Sequence, residues 1–153
     1  MRAVRYQAAG GVVVDDDQVL VLLRPSRDEI RLPKGHVERG EAAPQTALRE
    51  VREESGYADL AIAADLGHQT VEFTYQGDHV IRDEQYYLVR LRSTQQAERK
   101  TKEHQFTPAW MDWERAAEAL TFAAEREWVR RAKVAAGLAD AEGAAGGLPG
   151  QEP

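Results

Sequence analysis

The sequence predicts an α+β fold, a mixed sheet with helices on both faces. Three observations carry that prediction. Two β-branched apolar runs open the chain on either side of a polar turn, and an amphipathic helical stretch follows a long aperiodic loop. A second group of strands then leads into helices at the C-terminal end. At 153 residues the chain fits one domain, because two separate cores would each be marginal at that size.

Each element has a local reason. Ala8 to Val14 and Gln18 to Leu23 are apolar strands joined through Asp15, Asp16 and Asp17, a turn suited to antiparallel neighbours. The three aspartates read as an exposed hairpin tip rather than a metal site. Arg24 to Gly40 has no period and contains Pro25, Pro33, Gly35 and Gly40, so it reads as a loop of functional length. Helical patterning starts near Ala43, with Pro44 in the first turn, Ala47, Leu48 and Val51 as the apolar stripe, and Gly56 as the stop. Leu60 to Arg92 returns to strand character, with Val71 to Tyr75 alternating, a turn at Gln76–Asp78 and a half-buried strand over Tyr86–Leu91. Ser93 to Gln105 is a charged connection and Phe106 to Met111 a short strand. From Asp112 the chain is helical to about Ala136, with a break at Thr121. Residues 1–136 therefore form the domain, and the Gly/Ala-rich residues 137–153 read as a flexible tail.

Composition narrows the function. Lys and Arg total 20 against 26 Asp and Glu, a formal charge of -6, which argues against a stable nucleic-acid partner or an anionic membrane surface. Zero cysteines remove disulfides, thiolate metal sites and a Cys nucleophile. The first residues lack a signal-peptide apolar run and no stretch approaches a membrane span, so a cytoplasmic location is expected. The last helices can pack on their own sheet or across a dimer, and monomer and homodimer both stand.

On the central helix, Glu50, Glu53 and Glu54 fall at i, i+3 and i+4, within one sector of roughly 100°. Three carboxylates there repel by about 0.2–0.5 kcal/mol per close pair. Taken alone, they form either a solvated face partly neutralised by Arg49 and Arg52, or a site for Mg²⁺ or Mn²⁺. Their surroundings favour the second reading. Gly35, Glu41, Arg49, Glu50, Glu53, Glu54 and Gly56 fit the spacing Gly-x5-Glu-x7-Arg-Glu-apolar-x-Glu-Glu-x-Gly. Seven fixed identities arise by chance at roughly 10⁻⁸ per starting position. The segment 35–57 resembles the Nudix hydrolase signature at every fixed position. It departs only in Tyr57, where an aliphatic residue is usual.

The resemblance implies an α/β/α sandwich with a mixed sheet and a loop–helix–loop at its site. Its substrates would be nucleoside diphosphates linked to another group, hydrolysed with a divalent cation. It makes Glu50, Glu53 and Glu54 metal ligands, with Glu50 also placed to orient or deprotonate water, and Gly35 a carbonyl ligand. Glu41, Arg49 and Gly56 become structural parts of the motif. The run Arg31-Leu32-Pro33-Lys34-Gly35-His36 looks like the segment that opens the signature in dinucleoside polyphosphate hydrolases. In that comparison Lys34 and His36 contact phosphates, and Arg24, Arg27 and Arg31 are either second clamps or exposed loop charges.

Lys102-Glu103-His104-Gln105 resembles a segment of the asymmetric diadenosine tetraphosphate hydrolases, which makes Glu103 a fourth catalytic carboxylate and metal ligand. Tyr75 lies 18 positions beyond Tyr57, the offset of a tyrosine in that branch. Tyr75, Tyr86 and Tyr87 either stack on an adenine or pack between strands. The favoured reaction is diadenosine tetraphosphate to ATP and AMP. Inositol pyrophosphates and nucleoside triphosphates are the alternatives within the same chemistry. ADP-ribose fits less well, because that branch carries a proline near Glu72. A catalytically silent nucleotide-binding regulator is the alternative outside it, although such modules lose signature glutamates that this chain keeps.

Overall fold

The computed structural model describes residues 1–145. Seven strands form one mixed sheet: β1 (Ala3–Asp15), β2 (Gln18–Arg24), β3 (Glu29–Arg31), β4 (Lys34–His36), β5 (Leu60–Tyr75), β6 (Asp78–Leu91) and β7 (Thr107–Asp112). The order is β3-β2-β1-β6-β5, with β4 beside β1 and β7 beside β2. The β1–β6 pair is parallel and the other pairs are antiparallel. Three helices complete the fold: α1 (Ala43–Ser55), α2 (Trp113–Ala119) and α3 (Ala123–Ala145).

Strand alternation sorts the core into two layers. Ala9, Val13, Leu20, Tyr87 and Val89 pack against Ala47 and Val51 of α1. Val12, Val14, Val19, Val21, Tyr86 and Leu88 face Trp128, Val129 and Ala132 of α3. Because helices cover both faces, β1 is buried continuously from Ala8 to Val14 instead of alternating. The helix–sheet–helix sandwich follows.

The elements differ from the sequence expectation where local signals are short or masked. The loop over residues 24–40 holds a 3-10 turn at Pro25–Arg27 and the three-residue strands β3 and β4. Strand β5 stays paired to β6 across irregularities between Ile62 and Ala64 and between Asp65 and His68. At the β5–β6 hairpin, Gln76 and Gly77 both take positive φ, 49° and 82°, the conformation of a two-residue turn. The expected tail needs correction from Gly137 onward, because α3 continues to Ala145. Its two glycines there, Gly137 and Gly143, cost a long helix only about 1 kcal/mol each. The rest of the expected tail, 146–153, lies outside the described residues. Among the described residues no helix is long and apolar enough to cross a membrane.

Candidate active site

The site lies where β4 meets α1. Gly35 pairs with Ala9 of β1 and faces the helix. A Cβ on Gly35 would sit 2.2 Å from the carboxyl carbon of Glu50, so only glycine lets that carboxylate approach the strand. The next turn of α1 brings in Glu54, whose Oε1 accepts the Lys34 N–H at 3.1 Å.

Arg49 organises the signature residues. Its Nε and Nη2 donate to Glu41 at 2.6 and 3.0 Å, while Nη1 donates to Glu50 at 2.8 Å and Glu53 at 3.1 Å. Nη2 also reaches the His36 carbonyl at 3.1 Å, tying β4 to the helix. Glu41 further accepts the Thr46 hydroxyl at 2.6 Å and the Glu38 N–H at 3.1 Å. Hydrogen bonds from Arg49 and Thr46 hold the Glu41 carboxyl down at about 2. Gly56 ends α1 at φ 88°, and a Cβ there would meet the Ala97 carbonyl at 3.0 Å.

Glu50 and Glu54 shift the opposite way. Burial raises Glu50, and Glu53 and Glu103 raise it further against the opposing pull of Arg49. Burial also raises Glu54 well above the usual range, followed by the charge of Glu50, with Lys34 opposing and Glu103 adding. Glu103 is buried at 7% exposure in a 3-10 turn over Thr101–Gln105. Four carboxylates thus share one electrostatic neighbourhood, and Arg49 is the single cation that ion-pairs any of them among the described residues.

That arrangement fits a divalent cation. Recessed like-charged oxygens are costly without a counter-ion, and hard oxygen donors suit Mg²⁺ or Mn²⁺. As they stand, no three such groups form a closed ion cage among the described residues. Arg49 draws Glu50 and Glu53 toward one side.

On the α3 side, Lys34 lies opposite Gly10, and burial followed by Arg31 pushes its ammonium down. His36 is exposed and stacks on Tyr6 at 4.0 Å with an 11° angle. Arg82 extends this surface, within 3.5 Å of the Tyr6 hydroxyl and over the Phe73 ring. Glu84 is fully buried and accepts from Arg82 Nε at 2.6 Å and Trp128 Nε1 at 2.9 Å.

Several sequence candidates lie elsewhere. Tyr75 is 50% exposed beside the β5–β6 turn and pairs with Asp78, seven β6 positions, or about 20 Å, from Gln85, which lies in the row of Ala9 and Gly35. Tyr87 packs in the α1 layer, and Tyr86 is sealed against Trp128 at 4.6 Å. Neighbouring strand residues point to opposite faces, and here both faces are covered. Arg31 is mostly buried, bonded to Glu125 at 2.8 Å and Glu29 at 3.2 Å, so it braces the loop. Glu125 also accepts the Leu32 N–H at 2.7 Å. Arg24 bonds Gln105 at 2.8 Å, and Arg27 is exposed. Tyr6 and Arg82 beside His36, and Arg99, which bonds the carbonyls of Glu54 and Glu103, belong to no motif and were not legible in the sequence.

The NUDIX domain profile matches residues 4–132. The chain belongs to the NUDIX domain family. The Nudix fold is equally clear from solved structures. A C. elegans Ap4A hydrolase in a binary complex superposes with a TM-score of 0.66 at 26% identity, covering 88% of this chain and 98% of the other. The E. coli dihydroneopterin triphosphate pyrophosphohydrolase gives 0.65 at 25% identity, covering 84% and 96%. Among curated relatives, a Mycobacterium tuberculosis protein that carries the name MutT4 is 42% identical over 100 residues. The 8-oxo-(d)GTP phosphatase of Mycolicibacterium smegmatis is 40% identical over 58 residues. The matched stretches span 40% and 16% of those two proteins, and 59% and 38% of this Nudix chain.

Proposed function

We propose that this Nudix domain hydrolyses a phosphoanhydride bond in a nucleoside polyphosphate, with diadenosine tetraphosphate giving ATP and AMP as the favoured reaction. The observation that carries the reading is the placement of Glu50 against the Gly35 backbone and of Glu54 on the Lys34 N–H, with Glu103 close enough to push both carboxyls up. Glu50, Glu53, Glu54 and Glu103, with the Gly35 carbonyl, would hold Mg²⁺ or Mn²⁺. When bound, the cation neutralises phosphate oxygens and lowers the pKa of water. Glu50 or Glu103 orients the attacking water and takes its proton. Lys34 and His36 flank Gly35 on β4 and would contact phosphates beyond the cation, around the strand from Glu50. Arg49 holds Glu50 and Glu53 together on the helix face, where they would be available to the cation.

The likeness to the C. elegans Ap4A hydrolase over nearly its whole length supports the dinucleoside substrate. The flat Tyr6–His36 pair beside Arg82 offers a base a stacking surface, a role Tyr75 and Tyr87 are too distant or too buried to fill. The similarity to the 8-oxo-(d)GTP phosphatase favours a second reading, nucleoside triphosphate pyrophosphohydrolysis. Mass spectrometry of products from a polyphosphate panel in ¹⁸O-water separates the two. ATP and AMP, one of them labelled, are expected from diadenosine tetraphosphate. Faster release of pyrophosphate from a nucleoside triphosphate would favour the second reading. No cation-dependent cleavage of any nucleotide would refute both.

A further inference from the structure

We propose that Arg99 is a positioning residue, docking the loop that carries Glu103 onto the end of α1 so that the Glu103 carboxylate stands beside Glu50 and Glu54. This rests on the reading of those carboxylates as a divalent-cation site.

The argument starts from the helix end. The last carbonyls of an α-helix have no partner within the helix. In α1, Arg52 O takes the Gly56 N–H at 2.8 Å, and the 93–105 connection supplies donors to Glu54 O and Ser55 O. Gln96 Nε2 donates to Ser55 O at 3.0 Å and Arg99 Nη1 to Glu54 O at 2.9 Å. The Ala97 N–H donates to Gly56 O at 2.7 Å. The same Nη1 of Arg99 shares its two hydrogens with the carbonyls of Glu103 and Phe106 as well, both at 3.0 Å. One nitrogen therefore joins the backbone of Glu54 to the backbone of Glu103.

The charge is also well placed, since a guanidinium at a helix C-terminus faces the negative end of its dipole. Among the described residues Arg99 makes no ion pair with a carboxylate, so it acts through carbonyls and leaves the site's negative charge intact. Beyond these bonds the connection is fixed by an isolated bridge between Tyr57 and Gln96, the Arg24–Gln105 bond at 2.8 Å and the buried Phe106 ring under Arg24. Glu103 itself is buried at 7% exposure, so the turn that carries it is held against the rest of the domain.

The test is a double-mutant cycle of Arg99→Met with Glu103→Gln, read by Mn²⁺ binding and by kcat and KM. Arg99→Met should weaken Mn²⁺ binding and lower kcat by about ten-fold each, the usual loss behind a metal ligand, with KM nearly unchanged. In the Glu103→Gln background it should cost less than about two-fold, because the group it positions is gone. Losses that multiply would overturn the proposal. Amide exchange at Ala97 and Glu103 reads docking without any metal and should accelerate in Arg99→Met; unchanged exchange overturns the proposal even if the wild type binds no Mn²⁺. That last result, by contrast, is the failure of the cation site itself. If Arg99→Met does not fold, Arg99→Lys, which keeps a charged donor, enters the same cycle.

Discussion

Gly35→Ala should separate the chemistry of this Nudix domain from its stability. The new Cβ would stand 2.2 Å from both Cδ and Oε2 of Glu50 and 2.6 Å from Oε1. Ordinary contact begins near 3.4 Å, so the carboxylate must retreat by more than 1 Å. It is the free end of a flexible side chain, and Gly35 is not among the positive-φ glycines, so the backbone has no strain to absorb. The fold should lose about 1 kcal/mol, a fall of roughly 2–4 °C in Tm for a chain of this size. Turnover should fall far more, because misplacing a reacting group by 1 Å costs about 100-fold. Thermal unfolding and cation-dependent hydrolysis of diadenosine tetraphosphate, run on the same preparation, measure both. Wild-type kcat in the variant would refute the placement of Glu50 at the reacting centre. A large drop in Tm would show that the glycine serves the fold instead.

Three further predictions use the same contacts. Gly10→Ala should destabilise by about 2–3 kcal/mol in urea unfolding, because its Cβ would meet the Pro33 carbonyl at 2.4 Å and the sealed Tyr86 ring at 2.7 Å, neither able to yield. Glu41→Gln should cost about 1–2 kcal/mol at neutral pH through loss of the charge-assisted bonds to Arg49. The Glu41 carboxyl is depressed to about 2 from 4.5, so its contribution is complete above pH 4.5 and fades as pH falls toward 2. The stability gap between variant and wild type should therefore close over that window in pH-dependent unfolding. Glu103→Gln should lower kcat at least ten-fold while leaving Tm within a few degrees; an unchanged rate would demote Glu103 to a buried structural acid.

How much was legible depends on whether a residue's role is written in its own chemistry. Helix α1 could be read because Ala47, Leu48 and Val51 repeat at helical spacing and Gly56 stops them at positive φ. Strands β3 and β4 could not, because three residues carry no period and Pro33 separates them. The carboxylates stood out as a charged group at fixed spacing. The tyrosines misled because alternation cannot say whether a face is open, and here Tyr86 and Tyr87 lie under different helices. Gly137 looked like a terminus, yet the long helix carries both Gly137 and Gly143 through. Arg99 was hidden in a charged connection because its partners are carbonyls, which every residue possesses.

The central claim is that the glutamates of α1 recruit the cation that binds the substrate. Mn²⁺ titration followed by electron paramagnetic resonance, on wild type and on Glu53→Gln/Glu54→Gln, tests it most directly. The wild type should bind Mn²⁺ competitively with Mg²⁺, and the folded double variant should lose that binding by at least ten-fold. Equal binding in the two proteins would contradict the account.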